Sequence, residues 1–131
     1  MKIAIVAYGV EGKASYDYYS KDPSNDITIF DQNPDLIGPE GVKTVVGPDA
    51  FDKLQDYDLI LRSPPISPFS LKTNGKIWSV TNEFFEKCPV PIIGVTGTKG
   101  KGTTSSMIAS IFEATGRKVW LVGNFGLAAI A

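Results

Sequence analysis

The sequence predicts an α/β protein with a mainly parallel sheet, helices on the faces of that sheet, and a further β-α-β unit that carries a glycine-rich loop. Short apolar, β-branched runs alternate with helix-like stretches along most of the chain, which favours parallel strands joined by crossover connections. The first apolar run ends in Gly9-Val10-Glu11-Gly12, and a later one leads into residues 94–104, GVTGTKGKGTT. Both places are typical of a strand that turns through glycines into a helix.

The apolar runs predict strands, and the stretches between them predict helices. We expect strands at residues 3–7, 26–30, 42–46, 58–61, 76–80, 92–95 and 118–122. We expect helices at residues 13–20, 82–87 and 103–114, with a weak helical turn at 51–54. Pro89 and Pro91 interrupt the alternation. A domain boundary is therefore predicted between residues 1–90 and 91–131.

Composition and charge exclude several classes of chemistry. The 131 residues carry a net charge of −1, so no general nucleic-acid or anionic-membrane binding is expected. The sequence has no histidine, which excludes Ser-His-Asp and Cys-His catalysis and histidine-ligated metals within this chain. Cys88 is the single cysteine, so no disulfide forms within the chain.

The amino-terminal run MKIAIVAYGV lacks the length and the small-residue cleavage pattern of a signal peptide. No run reaches the roughly 18 apolar residues of a membrane helix. A cytoplasmic location is therefore the expectation.

The glycine-rich loop at residues 94–104 is predicted to hold phosphate. Glycines allow the backbone to approach an anion, and the helix that follows offers unpaired N–H groups and a positive dipole end. Lys101 would add a charge on the outer phosphates, and a hydroxyl of Thr103 or Thr104 would reach Mg²⁺. The strict pattern G-x-x-x-x-G-K-[ST] is not met, because Val95 and Gly102 stand at two of its positions. The alternative is a plain glycine-rich connection with solvated lysines.

The first turn has the spacing Ala7-x-Gly9-x-x-Gly12, and Asp31 closes the second strand. This is a Rossmann-like fingerprint that lacks its first glycine, and taken by itself it is compatible with NAD binding.

Four segments resemble the Mur ligase family. The stretch GVTGTKGKGTTSSMI is similar to the ATP loop that Mur ligases share with folylpolyglutamate synthases. The segments VAYGVEGKAS, DLILRSPPISP and VGNFGLAAI resemble the D-glutamate-adding branch of the Mur ligases. The similarity implies a Rossmann-like domain that binds the UDP end of UDP-N-acetylmuramoyl-L-alanine, followed by the start of a P-loop domain that binds ATP and Mg²⁺.

The resemblance also implies roles for individual residues. In the first domain, the backbone around Val10 and Glu11 would face the diphosphate, and Asp31 and Gln32 would lie near uracil and ribose. The whole set implied for the UDP substrate is Gly9, Val10, Glu11, Gly12, Asp31, Gln32, Ser63, Pro64, Pro65 and Asn124. The set implied for the ATP phosphates is Gly97, Thr98, Lys99, Gly100, Lys101, Gly102, Thr103 and Thr104, with Lys101 and Thr103 catalytic and Thr103 on the metal.

The residues depart from the family pattern at four places. Lys99 stands where the family usually has Asn, and Gly102 where the muramyl branch has Ser or Thr. Pro65 replaces a glycine, and Glu11 replaces a small hydroxyl residue, so a carboxylate is placed near the expected diphosphate.

The resemblance implies that the parent enzyme activates the substrate carboxylate as an acyl phosphate, which the amine of D-glutamate attacks. The remaining catalytic groups would lie beyond Ala131, so we expect an N-terminal fragment without ligase activity of its own. Two other readings stay open: a fragment of a folylpolyglutamate-type ligase, which Gly102 favours, and a regulatory module that binds NAD or another nucleotide.

The second unit, of about 40 residues, is too small to bury a core of its own. Its helix carries an apolar face formed by Met107, Ile108, Ile111 and Phe112, which is typical of a helix that packs on a sheet. We therefore expect this unit to pack on the first domain or to self-associate with another copy.

Overall fold

A computed structural model describes residues 1–123 of the chain. Five parallel strands form one sheet in the order β3-β2-β1-β4-β5. The strands are β1 (Lys2–Val6), β2 (Asp26–Asp31), β3 (Lys43–Val46), β4 (Leu59–Arg62) and β5 (Lys76–Trp78). The helices are α1 (Val10–Tyr19), α2 (Val80–Lys87) and α3 (Lys101–Ala114), with short 3₁₀ turns at Ala50–Asp52 and Pro68–Ser70. The predicted α/β class with a Rossmann-like parallel sheet is confirmed.

Strand β1 lies at the centre of the sheet because its residues are apolar on both faces. Ile3 pairs with Ile27 of β2 on one side and with Leu59 of β4 on the other. The four residues from Ile3 to Val6 have no solvent exposure. A continuous apolar run of this kind is what a strand covered on both faces requires.

The two faces of the sheet have separate cores. Successive side chains of β1 point to opposite faces, so Ala4 and Val6 enter one cluster and Ile3 and Ile5 enter the other. The first cluster is completed mainly by Phe30, Leu54, Ile60 and Leu71, and the second by Ile29, Leu59 and Leu61 with the half-buried Tyr16 and Tyr19 of α1. Helix α1 therefore covers the second face.

Helix α2 is tied to α1 through the buried carboxylate of Glu83. Trp78 Nε1 donates to Glu83 Oε2 at 2.8 Å, and Lys87 Nζ lies 2.6 Å from Glu83 Oε1 and 3.1 Å from the Tyr18 hydroxyl. Burial alone would raise the pKa of Glu83, but hydrogen bonds from Lys87, Trp78 and Tyr19 outweigh it and lower that pKa. This network joins β5 and α2 to the helix that begins the candidate site.

The predicted boundaries differ from the observed ones mainly at helix starts. Helix α1 begins at Val10 rather than at residue 13, and α3 begins at Lys101 rather than at residue 103, because glycine precedes each first turn as the N-cap. Strand β5 ends at Trp78 rather than at residue 80, because the Ser79 side chain accepts the N–H of Asn82 and caps α2.

The two strands predicted for the second unit, at 92–95 and 118–122, are not formed as strands within residues 1–123. A strand is held by hydrogen bonds from a neighbouring strand, and the five-stranded sheet ends at β3 and β5 without taking up either segment. Of the predicted β-α-β unit, the described residues therefore show the helix, whereas the strands predicted at 92–95 and 118–122 are not observed among them.

Helix α3 does not pack on the sheet as its apolar face predicts. Met107 and Ile111 are 62% and 64% exposed, and Trp120 is 60% exposed. Other exposed apolar side chains of this part are Val90, Ile92, Ile93, Leu121 and Val122. Among the described helices, none is long and apolar enough to cross a membrane.

Replacing a core isoleucine tests the division between the sheet domain and the second unit. Ile5 has no solvent exposure, so Ile5→Ala is expected to lower the free energy of unfolding by about 2–5 kcal/mol. Ile111→Ala removes the same atoms from a side chain that is 64% exposed and is expected to change stability by less than about 0.5 kcal/mol. Chemical denaturation followed by circular dichroism measures both. Equal losses for the two variants would contradict the observed burial.

Candidate functional site

The candidate site lies where the strand order reverses. The chain runs outward from β1 through β2 to β3, then returns to the other side of β1 with β4 and β5. In open α/β sheets, ligands bind in the crevice outside the carboxyl ends of the strands at this reversal point. Here the crevice is bordered by the ends of β1, β2 and β4 and by the first turn of α1.

The turn from β1 to α1 is held tightly against its own helix. A Cβ atom added at Gly12 would lie 2.3 Å from the carbonyl oxygen of Ala7, which leaves room only for glycine. Ala7 itself has a φ of +69°, a left-handed conformation that disfavours residues with a side chain. Ala7 occupies the position of the first glycine in the Rossmann-like fingerprint. A residue with a side chain therefore holds a conformation that glycine usually adopts, and the turn is strained.

Ser63, at the end of β4, secures this turn from the side. Its N–H donates to the Val6 carbonyl at 3.2 Å, and its hydroxyl donates to the Ala7 carbonyl at 2.9 Å. Ser63 is 8% exposed, and the neighbouring Pro64 and Pro65 are exposed on the loop that follows. The resemblance implies that these three residues belong to the set for the UDP substrate. The geometry adds that the Ser63 side chain positions the turn after β1.

Asp31 secures the same turn from β2. Its carboxylate accepts the Tyr8 N–H at 2.8 Å and the Asn33 N–H at 2.9 Å, so each oxygen has one backbone partner. Gln32 is exposed and donates through Nε2 to the Pro48 carbonyl at 3.2 Å. Both residues lie at the carboxyl end of β2, beside the crevice.

The first turn of α1 offers backbone donors to the crevice. Gly9 is the N-cap and provides no side-chain cap, and the first helical hydrogen bond runs from the Lys13 N–H to the Gly9 carbonyl at 2.9 Å. The N–H groups of Val10, Glu11 and Gly12 therefore have no partner within the helix. Together with the helix dipole, this arrangement attracts an anion.

The Glu11 carboxyl is the one negative feature of that turn. Burial raises its pKa, and the Arg62 guanidinium acts weakly in the opposite direction. Arg62 ends β4 and donates through Nη1 to the Ile66 carbonyl at 3.0 Å, which holds the proline loop in place. The sequence alone does not indicate this contact between the Arg62 guanidinium and backbone carbonyls.

The glycine-rich loop forms a second, separate candidate site before α3. Gly97 and Gly100 have φ angles of +150° and +75°, and Gly100 leads directly into the helix. The first helical hydrogen bond joins the Thr104 N–H to the Gly100 carbonyl at 2.9 Å, so the first N–H groups of α3 have no helical partner. Lys101 Nζ donates back to the Gly97 carbonyl at 2.5 Å, which places its ammonium over the loop.

The structure groups some of the predicted residues and separates others. The residues predicted for the UDP substrate converge on one edge of the sheet, except Asn124, which lies outside the described residues. The residues predicted for phosphate form a separate loop, whose further exposed members are Thr98, Lys99, Gly102, Thr103 and Thr104. Within residues 1–123, no cluster of three or more His, Cys, Asp or Glu side chains could hold a metal ion.

Comparison with known proteins relates this architecture to one class of ligase. No protein-family model matches the chain. UDP-N-acetylmuramoylalanine–D-glutamate ligase of Clostridium kluyveri is 34% identical over an alignment that covers 95% of this chain and 30% of that protein. The ligases of the same name from Clostridium tetani and Clostridium novyi are 29% and 28% identical over the same shares.

The chain thus spans about 30% of the length of the curated relatives it matches. It is similar to the N-terminal region of these D-glutamate ligases, which confirms the resemblance found in the sequence motifs. The folylpolyglutamate and NAD-module readings are not favoured.

The tight turn between β1 and α1 is tested by a pair of glycine variants. Gly12→Ala places a methyl group against the Ala7 carbonyl and is expected to shift the turn and lower the melting temperature. Gly9→Ala is the matched control, since a Cβ there meets nothing within 4 Å and Gly9 has a φ of −83°. Thermal unfolding of the two variants distinguishes them. A melting temperature for Gly12→Ala equal to that of Gly9→Ala would refute the close approach.

Proposed function

We propose that the chain is the substrate-binding N-terminal part, with the beginning of the ATP-binding part, of an ATP-dependent ligase that adds D-glutamate to UDP-N-acetylmuramoyl-L-alanine. The observation that carries the proposal is the match of 95% of the chain to D-glutamate ligases. The resembling segments of this chain around residues 7–12, 58–68 and 94–108 lie at the crevice and at the glycine-rich loop, and residues 124–130 of the last segment lie outside the described residues. The reaction belongs to peptidoglycan precursor synthesis, for which we propose a cytoplasmic location. Residues 1–90 form the proposed UDP-substrate domain, and residues 91–131 begin the proposed P-loop domain.

In this proposal the crevice holds the UDP end of the substrate. The free N–H groups of the first turn of α1, between Gly9 and Gly12, bind the diphosphate. Asp31 and Gln32 lie beside uracil and ribose, with Ser63, Pro64 and Pro65 lining the same pocket, and Asn124 reaches the sugar or its diphosphate. The convergence of three strand ends on one crevice supports these roles.

The loop before α3 holds the ATP phosphates in the same proposal. The left-handed Gly100, the uncapped first turn of α3 and the ammonium of Lys101 over the loop fit a phosphate group. When bound, ATP with Mg²⁺ supplies the phosphoryl group that activates the substrate carboxylate. Lys101 stabilises the outer phosphates, and the hydroxyl of Thr103 is the proposed metal contact. The other ligands and the site for D-glutamate are proposed to lie in the part of the ligase that this chain does not span, so we expect no ADP release from the chain alone.

A titration with nucleotides tests the crevice. UDP is expected to bind and NAD is not, because the proposed function assigns the crevice to the uridine diphosphate end of the substrate. Val10→Pro removes one N–H at the first helical position, where proline is tolerated, and is expected to weaken UDP binding about tenfold or more. Val10→Ala keeps that N–H and serves as the control. Isothermal titration calorimetry measures UDP and NAD binding by the wild-type chain and UDP binding by the two variants. Binding of NAD without UDP would overturn the proposal.

The ATP loop is tested by a pair of lysine variants. Lys101→Ala removes the ammonium that lies over the loop and is expected to weaken ATP binding about tenfold or more. Lys118→Ala removes a charge that lies over the Trp120 ring instead, and is expected to leave ATP binding unchanged. Fluorescence anisotropy with a labelled ATP analogue compares the two, and an equal response would contradict the assigned role of Lys101.

A further inference from the structure

Glu11 carries a buried oxygen that nothing in the described structure satisfies. Its Oε2 atom is inaccessible to solvent and has no hydrogen-bond partner among residues 1–123. A buried polar atom without a partner costs free energy, and the cost is largest when the atom is charged. The residue occupies the second position of α1, in the turn whose N–H groups face the crevice.

One cation acts on this carboxyl, but it makes no hydrogen bond to the buried Oε2. Arg62 of β4 is the charged residue that acts on it, but the Arg62 guanidinium is also engaged with the Ile66 carbonyl. From β2, Asp31 brings a second carboxylate to the same edge, already bonded to the Tyr8 and Asn33 N–H groups. The nearby titratable residues in the sequence are Tyr8, in the β1–α1 connection, and the exposed Lys13, in α1.

We propose that Glu11 controls the access of diphosphate to this turn through its own charge. The proposal rests on the proposed function, because it assigns the diphosphate of a uridine nucleotide to the first turn of α1. Ionised, the Glu11 carboxylate repels the diphosphate and offsets part of the attraction of the backbone N–H groups. Protonated, Glu11 loses that repulsion.

The expected pH dependence follows from the direction of the pKa. Burial raises the pKa of Glu11, so protonation begins above the usual range for a glutamate as pH falls. Affinity for UDP is therefore expected to increase as pH falls through that pKa. UDP itself also gains a proton in mildly acidic solution, so the informative quantity is the ratio of affinities between a variant and the wild-type chain at the same pH.

The test uses UDP titrations of the whole chain between pH 8 and pH 5. Glu11→Gln keeps the shape of the side chain and removes its charge, and Glu11→Ser removes both charge and bulk. At pH 8, each is expected to bind UDP about tenfold more tightly than the wild-type chain. The ratio is expected to shrink toward one as pH falls. Glu40→Gln, at an exposed turn between β2 and β3, is the matched control and is expected to follow the wild type. Thermal unfolding verifies that all variants are folded.

The outcomes distinguish the proposed role of Glu11 from the proposed uridine site. Tighter UDP binding by both Glu11 variants than by the wild-type chain at pH 8 supports the proposed effect of the Glu11 charge. UDP binding by both variants and not by the wild-type chain supports it as well. Equal or weaker binding by the Glu11 variants, with UDP bound by the wild-type chain, overturns the role of Glu11 and leaves the proposed function standing. No UDP binding by any folded variant or by the wild-type chain overturns the proposed uridine site and the inference together.

Discussion

The candidate site depends on the backbone hydrogen bonds of Ala7 and Tyr8, the two residues that follow β1. The N–H of Ala7 donates to the Phe30 carbonyl of β2 at 2.9 Å, and the carbonyl of Ala7 accepts the Ser63 hydroxyl from β4. The next N–H, of Tyr8, donates to Asp31. The backbone is thus held from both neighbouring strands at the point where the chain turns, and this is what allows Ala7 to keep its left-handed conformation.

This constraint determines where the first turn of α1 lies. Gly12 packs directly beneath the Ala7 carbonyl, so the helix begins as close to the sheet as a backbone without a side chain permits. The N–H groups of Val10, Glu11 and Gly12, which have no partner within the helix, therefore lie at the carboxyl end of β1. Because this arrangement of N–H groups depends on backbone placement, it is compatible with a charged side chain such as Glu11 at the second position of the helix.

The two parts of the chain differ in how they are stabilised. The five-stranded sheet buries apolar side chains on both faces, and a hydrogen-bonded network around Glu83 adds α2 to α1. Helix α3 keeps a regular backbone, but Met107 and Ile111 of its apolar face remain largely exposed within residues 1–123. The loop before α3 keeps the positive φ angles of Gly97 and Gly100 and the contact of Lys101 with the Gly97 carbonyl, because these features need only the first turn of the helix. A full nucleotide site additionally needs walls that only neighbouring elements provide.

The sequence by itself determined the parallel sheet, because continuous apolar runs such as Ile3–Val6 are stable only when both faces are covered. It also determined the location of both glycine turns, and its motif segments indicated the similarity to D-glutamate-adding ligases. It did not predict that the segments at 92–95 and 118–122 lack strand pairing, because β-propensity is local whereas pairing requires a partner strand. The roles of Ala7, Ser63 and Arg62 as contacts between strand ends were decided only by the tertiary structure. Those contacts join residues far apart in the chain, and residue type does not specify which carbonyl a hydroxyl or guanidinium will reach.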